Sequence, residues 1–298
     1  MTPKKMNARR RVVMCWAVVC FGALPLVAGC ATSTSNTPVS PVTVTVTAQP
    51  SSVSSVPPTA STSAGGPLAA EFARLGVPVG VAIAPVGKSA AAPIVLGRSA
   101  PVVAWSTIKV PLAVAAQRAN GPTAAETNAI INSDNASAEQ LWASLGDNAT
   151  ASAAVTGVLR EGGDATTVVP SQRLRSGYTI FGQTLWPLSN AATFTAHLPC
   201  LPGTEHVVSL MGQVAGNQQW GVEVMAAPKM TAVKGGWGPG QTAGYVVRQI
   251  GLITYRDSTM TAIAMSTVGS SMGEGIASLN AVANWLNRNI SRLPRGRC

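Results

Sequence analysis

The sequence predicts an α/β chain of the α+β kind, in which one antiparallel sheet is assembled from N-terminal and C-terminal strands and flanked by helices. Three observations carry this. Short runs rich in β-branched residues lie near both ends of the folded region, the stretch between them has helical periodicity, and an amphipathic helix closes the chain.

Taken in order, 67–75 reads as a short amphipathic helix, and Val79 to Ala84 and Pro93 to Gly97 as two strands joined by a turn around Gly87. Helices are predicted from Ser106 to Ala119, Ala124 to Ile131, Asn135 to Leu145, Ala149 to Arg160 and Ser189 to His197. The first has apolar residues on both sides of Ser106 and Lys109, which suits a helix buried inside a domain. Pro111 falls in its first turns, where a missing N–H costs least. Asp134 or Asn135 can cap the third. Strand patterns return at Thr231 to Gly235, Tyr245 to Tyr255 and Thr259 to Val268, with Arg256-Asp257-Ser258 as the last turn. The closing helix, Glu274 to Asn289, places Ile276, Leu279, Ala283 and Leu286 on one face.

Before this body, Lys4, Lys5, Arg9, Arg10 and Arg11 precede an apolar run from Val12 to Ala28 that ends Leu26-Val27-Ala28-Gly29-Cys30. A basic start, an apolar stretch and small residues before a cysteine make 1–29 a lipoprotein signal peptide; a membrane-spanning anchor is the alternative. Cleavage before Cys30 and diacylation of its thiol would tether the chain to the outer face of a bacterial cell membrane. Residues 30–66 are mostly Ser, Thr, Val and Pro without a charge, a composition that cannot bury a core and reads as a flexible linker. The alternation from Val42 to Thr47 could instead form a strand, but prolines bracket it. That leaves 67–298 as one globular domain.

The chain carries 21 basic and 11 acidic residues, of which five basic residues leave with the signal peptide. A mature charge of about +5 does not call for nucleic acid. Two histidines, His197 and His206, with no H-x-x-x-H or C-x-x-C, argue against a metal site, and no G-x-S-x-G marks a histidine-activated serine. No cofactor is implied. Cys15 and Cys20 leave with the signal and Cys30 takes lipid, so Cys200 and Cys298 remain as a pair suited to a disulfide in an oxidising compartment.

The chemistry concentrates in three short motifs. Ser106-Thr107-Ile108-Lys109 would place hydroxyl and amine on one helical face. A serine is a weak nucleophile at neutral pH, and a lysine can take its proton only if burial or a neighbouring cation lowers its pKa. Alone, Ser106 could be an ordinary helix cap. It is followed, however, by Ser133-Asp134-Asn135 and Lys234-Gly235-Gly236.

In that order the motifs resemble those of the penicillin-recognising serine hydrolases, which include class A β-lactamases and D-alanyl-D-alanine peptidases, with signatures S-x-x-K, S-D-N and K-T-G. The resemblance spans about residues 67 to 290 and implies a class A β-lactamase-like fold. It also implies roles. Ser106 would be acylated, Lys109 would help deprotonate it, and Ser133 would pass a proton to the leaving nitrogen. Asn135 would bond the substrate amide or position Lys109, and Lys234 would attract a substrate carboxylate. The backbone N–H groups of Ser106 and Trp237 would form the oxyanion hole. Gly235 and Gly236 would line the substrate site. Arg248 could offer a second cation there or be a solvent-exposed strand residue, and Trp237 could stack on a ligand or simply cover the glycines.

Three departures qualify the resemblance. Gly235 stands where the family has a hydroxyl that helps hold the carboxylate. The loop from Val168 to Pro187 has no Asp or Glu to activate a deacylating water, and Glu161 and Asp164 just before it lack the E-x-x-L-N context. Ser106 to Ser133 is 27 positions, short for a class A enzyme, which implies a trimmed helical subdomain.

The expectation is a lipid-anchored serine hydrolase or penicillin-binding protein of the cell envelope, monomeric, slow toward β-lactams. It would act on a peptide or amide ending in a carboxylate, such as a peptidoglycan peptide. The alternative is a lipoprotein of the same fold that binds an envelope ligand without turnover. Alanine, glycine and valine usage with few lysines suits an actinobacterium.

Overall fold

The computed structural model describes residues 65–87 and 91–298, all within one compact unit. The predicted signal peptide, Cys30 and most of the predicted linker lie outside the described residues. The fold begins with α1 (Gly65–Ala73), β1 (Val79–Pro85) and β2 (Ile94–Gly97). Two two-residue strands, β3 (Val102–Val103) and β4 (Leu185–Trp186), pair with each other away from the main sheet. Between them lie α2 (Lys109–Asn120), α3 (Ala124–Ile131), α4 (Asn135–Ser144) and α5 (Asn148–Glu161). Then come α6 (Leu188–His197), α7 (Glu205–Met211), β5 (Met230–Pro239), β6 (Tyr245–Thr254), β7 (Met260–Gly269) and α8 (Met272–Arg288).

The five-stranded sheet runs β2-β1-β7-β6-β5 and is antiparallel throughout. The chain's two ends meet where β1 pairs β7, from Val79↔Thr267 to Pro85↔Thr261. This is the class A β-lactamase-like architecture expected of the sequence, with β5 as a free edge. Each face of the sheet is covered. One core contains α2, α6 and alternate strand residues such as Ala82, Ile250 and Ala264. The other holds Leu68 and Phe72 of α1 and Leu279, Val282 and Leu286 of α8.

α2 is buried from Lys109 through Ala116, so it packs on all sides. Burying Val110, Leu112 and Val114 contributes about 1.5–3 kcal/mol each, and the same burial desolvates Lys109. The sequence predicted this helix from Ser106, but Trp105–Ile108 forms a 3-10 turn and α2 starts at Lys109. That start puts Pro111 in the first turn, where its absent N–H has no helical partner to lose. Asp134, not Asn135, caps α4, accepting from the Ser137 N–H at 2.6 Å. β5 is twice as long as its sequence pattern suggests because Gly235, Gly236 and Gly238 interrupt the apolar signal.

Cys200 and Cys298 are disulfide-bonded, their Cα atoms 5.2 Å apart. Together with the Met260↔Gly296 bridge, this fixes the C-terminal tail against β7 and the turn after α6.

Candidate active site

Ser106 sits in the 3-10 turn, half-buried, directly after Trp105, whose φ of 46° is left-handed. Few non-glycine residues adopt that conformation without support from their surroundings. Here the support is visible: the Ala104 N–H donates to Thr184 O at 2.7 Å, and the Thr107 hydroxyl donates to Ala104 O at 2.6 Å. The Trp105 indole packs edge-on to Tyr178, with ring centroids 5.1 Å apart.

β5 runs against this turn at Gly236. A Cβ there would lie 2.9 Å from Ala104 O and 3.0 Å from the nitrogens of Ser106 and Thr107, so only glycine permits the approach. The Gly235 N–H donates sideways to Gln218 Oε1 at 3.0 Å, off the edge of the sheet. Strand alternation then turns the Trp237 N–H to that same open edge, beside the Ser106 amide. The residue before Trp237 thus packs directly on the Ser106 nitrogen, and both residues line the same cleft.

Lys109 is 1% exposed. Its Nζ donates to Ser133 O at 2.6 Å, Asp134 O at 3.1 Å and Asn135 Oδ1 at 2.8 Å. Burial lowers its pKa from 10.5 to about 8, against the opposing pull of the Asp134 and Glu139 carboxylates. Ser133, at φ 57°, presents its carbonyl to Lys109 while its hydroxyl accepts from Lys234 Nζ at 2.9 Å. Lys234 is fully buried, and burial, reinforced by the neighbouring Lys109 charge, holds its pKa well below the ordinary lysine value.

Two residues absent from the sequence reading organise the far side. Gln218 Oε1 accepts from Lys234 Nζ and from the Gly235 N–H, while its Nε2 donates to Ile130 O and Ile131 O at 2.9 and 2.8 Å. It clamps the end of α3 to β5. Trp220 covers Gly235, where a Cβ would lie 2.7 Å from the indole Cζ2. Buried Gln249 holds that segment, donating to Trp220 O at 2.7 Å and accepting from the Val222 N–H at 2.8 Å. Gln218 ends one 3-10 turn and Trp220 immediately precedes another, in a stretch without periodicity to mark them.

Arg248 takes neither place considered for it. It is fully buried, outside the cleft lining, with Nη1 donating to Val102 O, Val103 O and Trp186 O at 3.1–3.3 Å. Its guanidinium also lies over the Trp186 ring, 5.5 Å from the centroid. Arg248 therefore fastens the β3–β4 pair to the sheet, and burial brings its pKa down to about 9.

The cleft has a volume of about 450 Å³ and is lined by Ser106, Ser133, Asn135, Glu139, Tyr178 and Trp237, among others. The loop 168–187 supplies Arg173, Tyr178 and Thr179 to it but no acid. Glu139 on α4 is the acidic residue on the lining. Asp164 is buried elsewhere, accepting from Trp186 Nε1 and Asn190 Nδ2, and Glu161 pairs with Arg118.

No protein-family profile and no curated protein matches the chain. Solved structures do. An ancestral class A β-lactamase is 19% identical, with a TM-score of 0.55 over 74% of this chain and 99% of its own. A β-lactamase from Burkholderia vietnamiensis is 19% identical, with a TM-score of 0.56 over 76% and 95%. The TLA-3 extended-spectrum β-lactamase is 13% identical, with a TM-score of 0.57 over 75% and 99%. At these identities the likeness is one of fold.

Proposed function

We propose that the protein is a lipid-anchored serine hydrolase of the cell envelope that forms an acyl-enzyme at Ser106 and is slow or inactive as a β-lactamase. The observation that carries this is the buried, pKa-depressed Lys109 one turn from Ser106, with Ser133 between it and Lys234. A lysine is costly to bury, and structure alone gives little reason to keep two so close together.

In the reaction, the neutral Lys109 amine keeps two of its three donated bonds and offers its lone pair to the Ser106 hydroxyl proton. Ser106 Oγ bonds to the substrate carbonyl carbon, and the oxygen's developing charge meets the Ser106 and Trp237 amides. The leaving nitrogen departs as Ser133 Oγ gives it a proton, with Lys234 restoring the proton to Ser133. A water must then cleave the ester. The loop holds no carboxylate for that step, which favours a long-lived acyl-enzyme.

The same missing acid supports a second reading, a β-lactamase-fold lipoprotein that binds an envelope ligand without turnover. Intact mass spectrometry after exposure to a fluorophosphonate, and separately to a fluorescent penicillin, decides between them. A covalent adduct absent from Ser106→Ala supports the enzyme; a folded protein inert to both reagents supports the binder.

A further inference from the structure

We propose that the site takes acyl donors with an uncharged, apolar leaving side and selects against those carrying a carboxylate there. The inference rests on the acyl-enzyme reading and names its substrate class. Of the three groups that could have met a carboxylate, two are turned to other partners and the third, a hydroxyl at 235, is missing. Lys234 gives its three hydrogens to Ser133 Oγ, Gln218 Oε1 and Gly235 O, at 2.9, 2.5 and 3.0 Å, and is wholly buried. Arg248 is turned beneath β3 and β4.

Position 235 has no hydroxyl and no room for one. A Cβ there would meet Trp220 at 2.7 and 3.2 Å and Trp237 at 3.4 Å, so two indoles stand where a polar side chain would be. They lie edge to face, 6.5 Å apart, and Trp220 is pinned by its own Nε1–H to Asn217 O at 2.9 Å. Trp220 is buried beneath Gly235 and only Trp237 reaches the cleft, so a carboxylate set against that indole would lose water for little return, whereas an apolar group gains contact. The cation that does line the cleft, Arg173, belongs to the loop 168–187 on the other wall, is exposed, and donates to Tyr178 O.

The test is a matched pair of aryl thioesters on the full chain, one with a meta-carboxylate on the leaving ring and one with its methyl ester. In each, the Ser106 Oγ–acyl bond forms as the acyl–sulfur bond breaks, and the hydroxyl proton leaves with the thiol. After correction for the alkaline hydrolysis rate of each compound, the neutral ester should acylate about tenfold faster or more. Equal rates, or faster acylation by the acid, overturn the proposal. Trp220→Leu with Gly235→Thr should narrow the ratio; an unchanged ratio in a folded double variant also overturns it. A fluorophosphonate carries no carboxylate and reports the nucleophile alone. If it fails to label folded protein, the acyl-enzyme reading falls; if it labels while the acid is preferred, only the substrate class does.

Discussion

Lys109 Nζ lies 2.6 Å from the main-chain oxygen of Ser133, so the amine that would take the nucleophile's proton is anchored on the residue that would pass one to the leaving group. Both roles depend on one short loop, and the anchoring favours the ammonium. Burial outweighs it and brings the pKa to about 8. Only the neutral amine is a base, so fluorophosphonate labelling should rise with pH and level off above about 8. A flat profile from pH 6 to 10 would exclude Lys109 from the step. The same depression means the native state binds this proton less tightly than the unfolded chain, so its contribution to stability improves as pH climbs from about 8 to 10.5.

Glu139 offers a second handle on that amine. Its charge raises the Lys109 pKa, so Glu139→Gln should move the labelling profile to lower pH, by less than about one unit. Asp134 acts the same way but also caps α4, which makes Glu139 the cleaner variant. A shift to higher pH would contradict the assignment.

Gly236→Ala should be severe. Its methyl group would press on Ala104 O and the Ser106 and Thr107 nitrogens, which are backbone and cannot swing aside. Displacing β5 from the turn separates the two oxyanion donors, for which a loss of about 100-fold or more in acylation rate is expected. Binding of a non-reactive ligand and the thermal midpoint, measured alongside, separate lost chemistry from lost fold.

Gln218→Leu removes one side chain, takes one of three acceptors from buried Lys234, and leaves the Gly235 N–H and the Ile130 carbonyl without the partner they have here. Each costs about 1–3 kcal/mol. Urea unfolding should show a lower midpoint, and labelling should slow because Lys234 loses the partner that places it beneath Ser133.

The disulfide gives the opposite pattern. Cys200 and Cys298 close a loop with a sequence separation of 98 and lie outside the cleft lining. Cys200→Ser with Cys298→Ser should lower stability by about 2–4 kcal/mol while leaving the Ser106 labelling rate within twofold at a temperature where the protein stays folded.

What the sequence made legible, and what it hid, follow from where information sits along the chain. Ser106, Lys109, Ser133 and Lys234 could be found because their chemistry is local to short motifs and their order is unusual. The strand meeting of β1 with β7 followed from apolar runs at both ends. The face of Arg248 could not be read, because β6 is buried along nearly its whole length and shows no polar alternation. Gln218 and Trp220 act through contacts with residues 15 or more positions away, from turns with no period. The β3–β4 pair is two residues per strand, too short for any pattern.

Trp105 and Ser133, the two left-handed non-glycine residues of the cleft, set a limit on how this protein can be improved. Such a conformation costs on the order of 1–3 kcal/mol, which glycine would relieve at either position. At Ser133 a selection for heat tolerance alone would therefore drift toward glycine and erase the bridging hydroxyl, whereas at Trp105 the buried indole, packed on Tyr178, is worth more than the relief. Durability and reactivity pull against each other at position 133, and only a screen that rewards both would keep its serine.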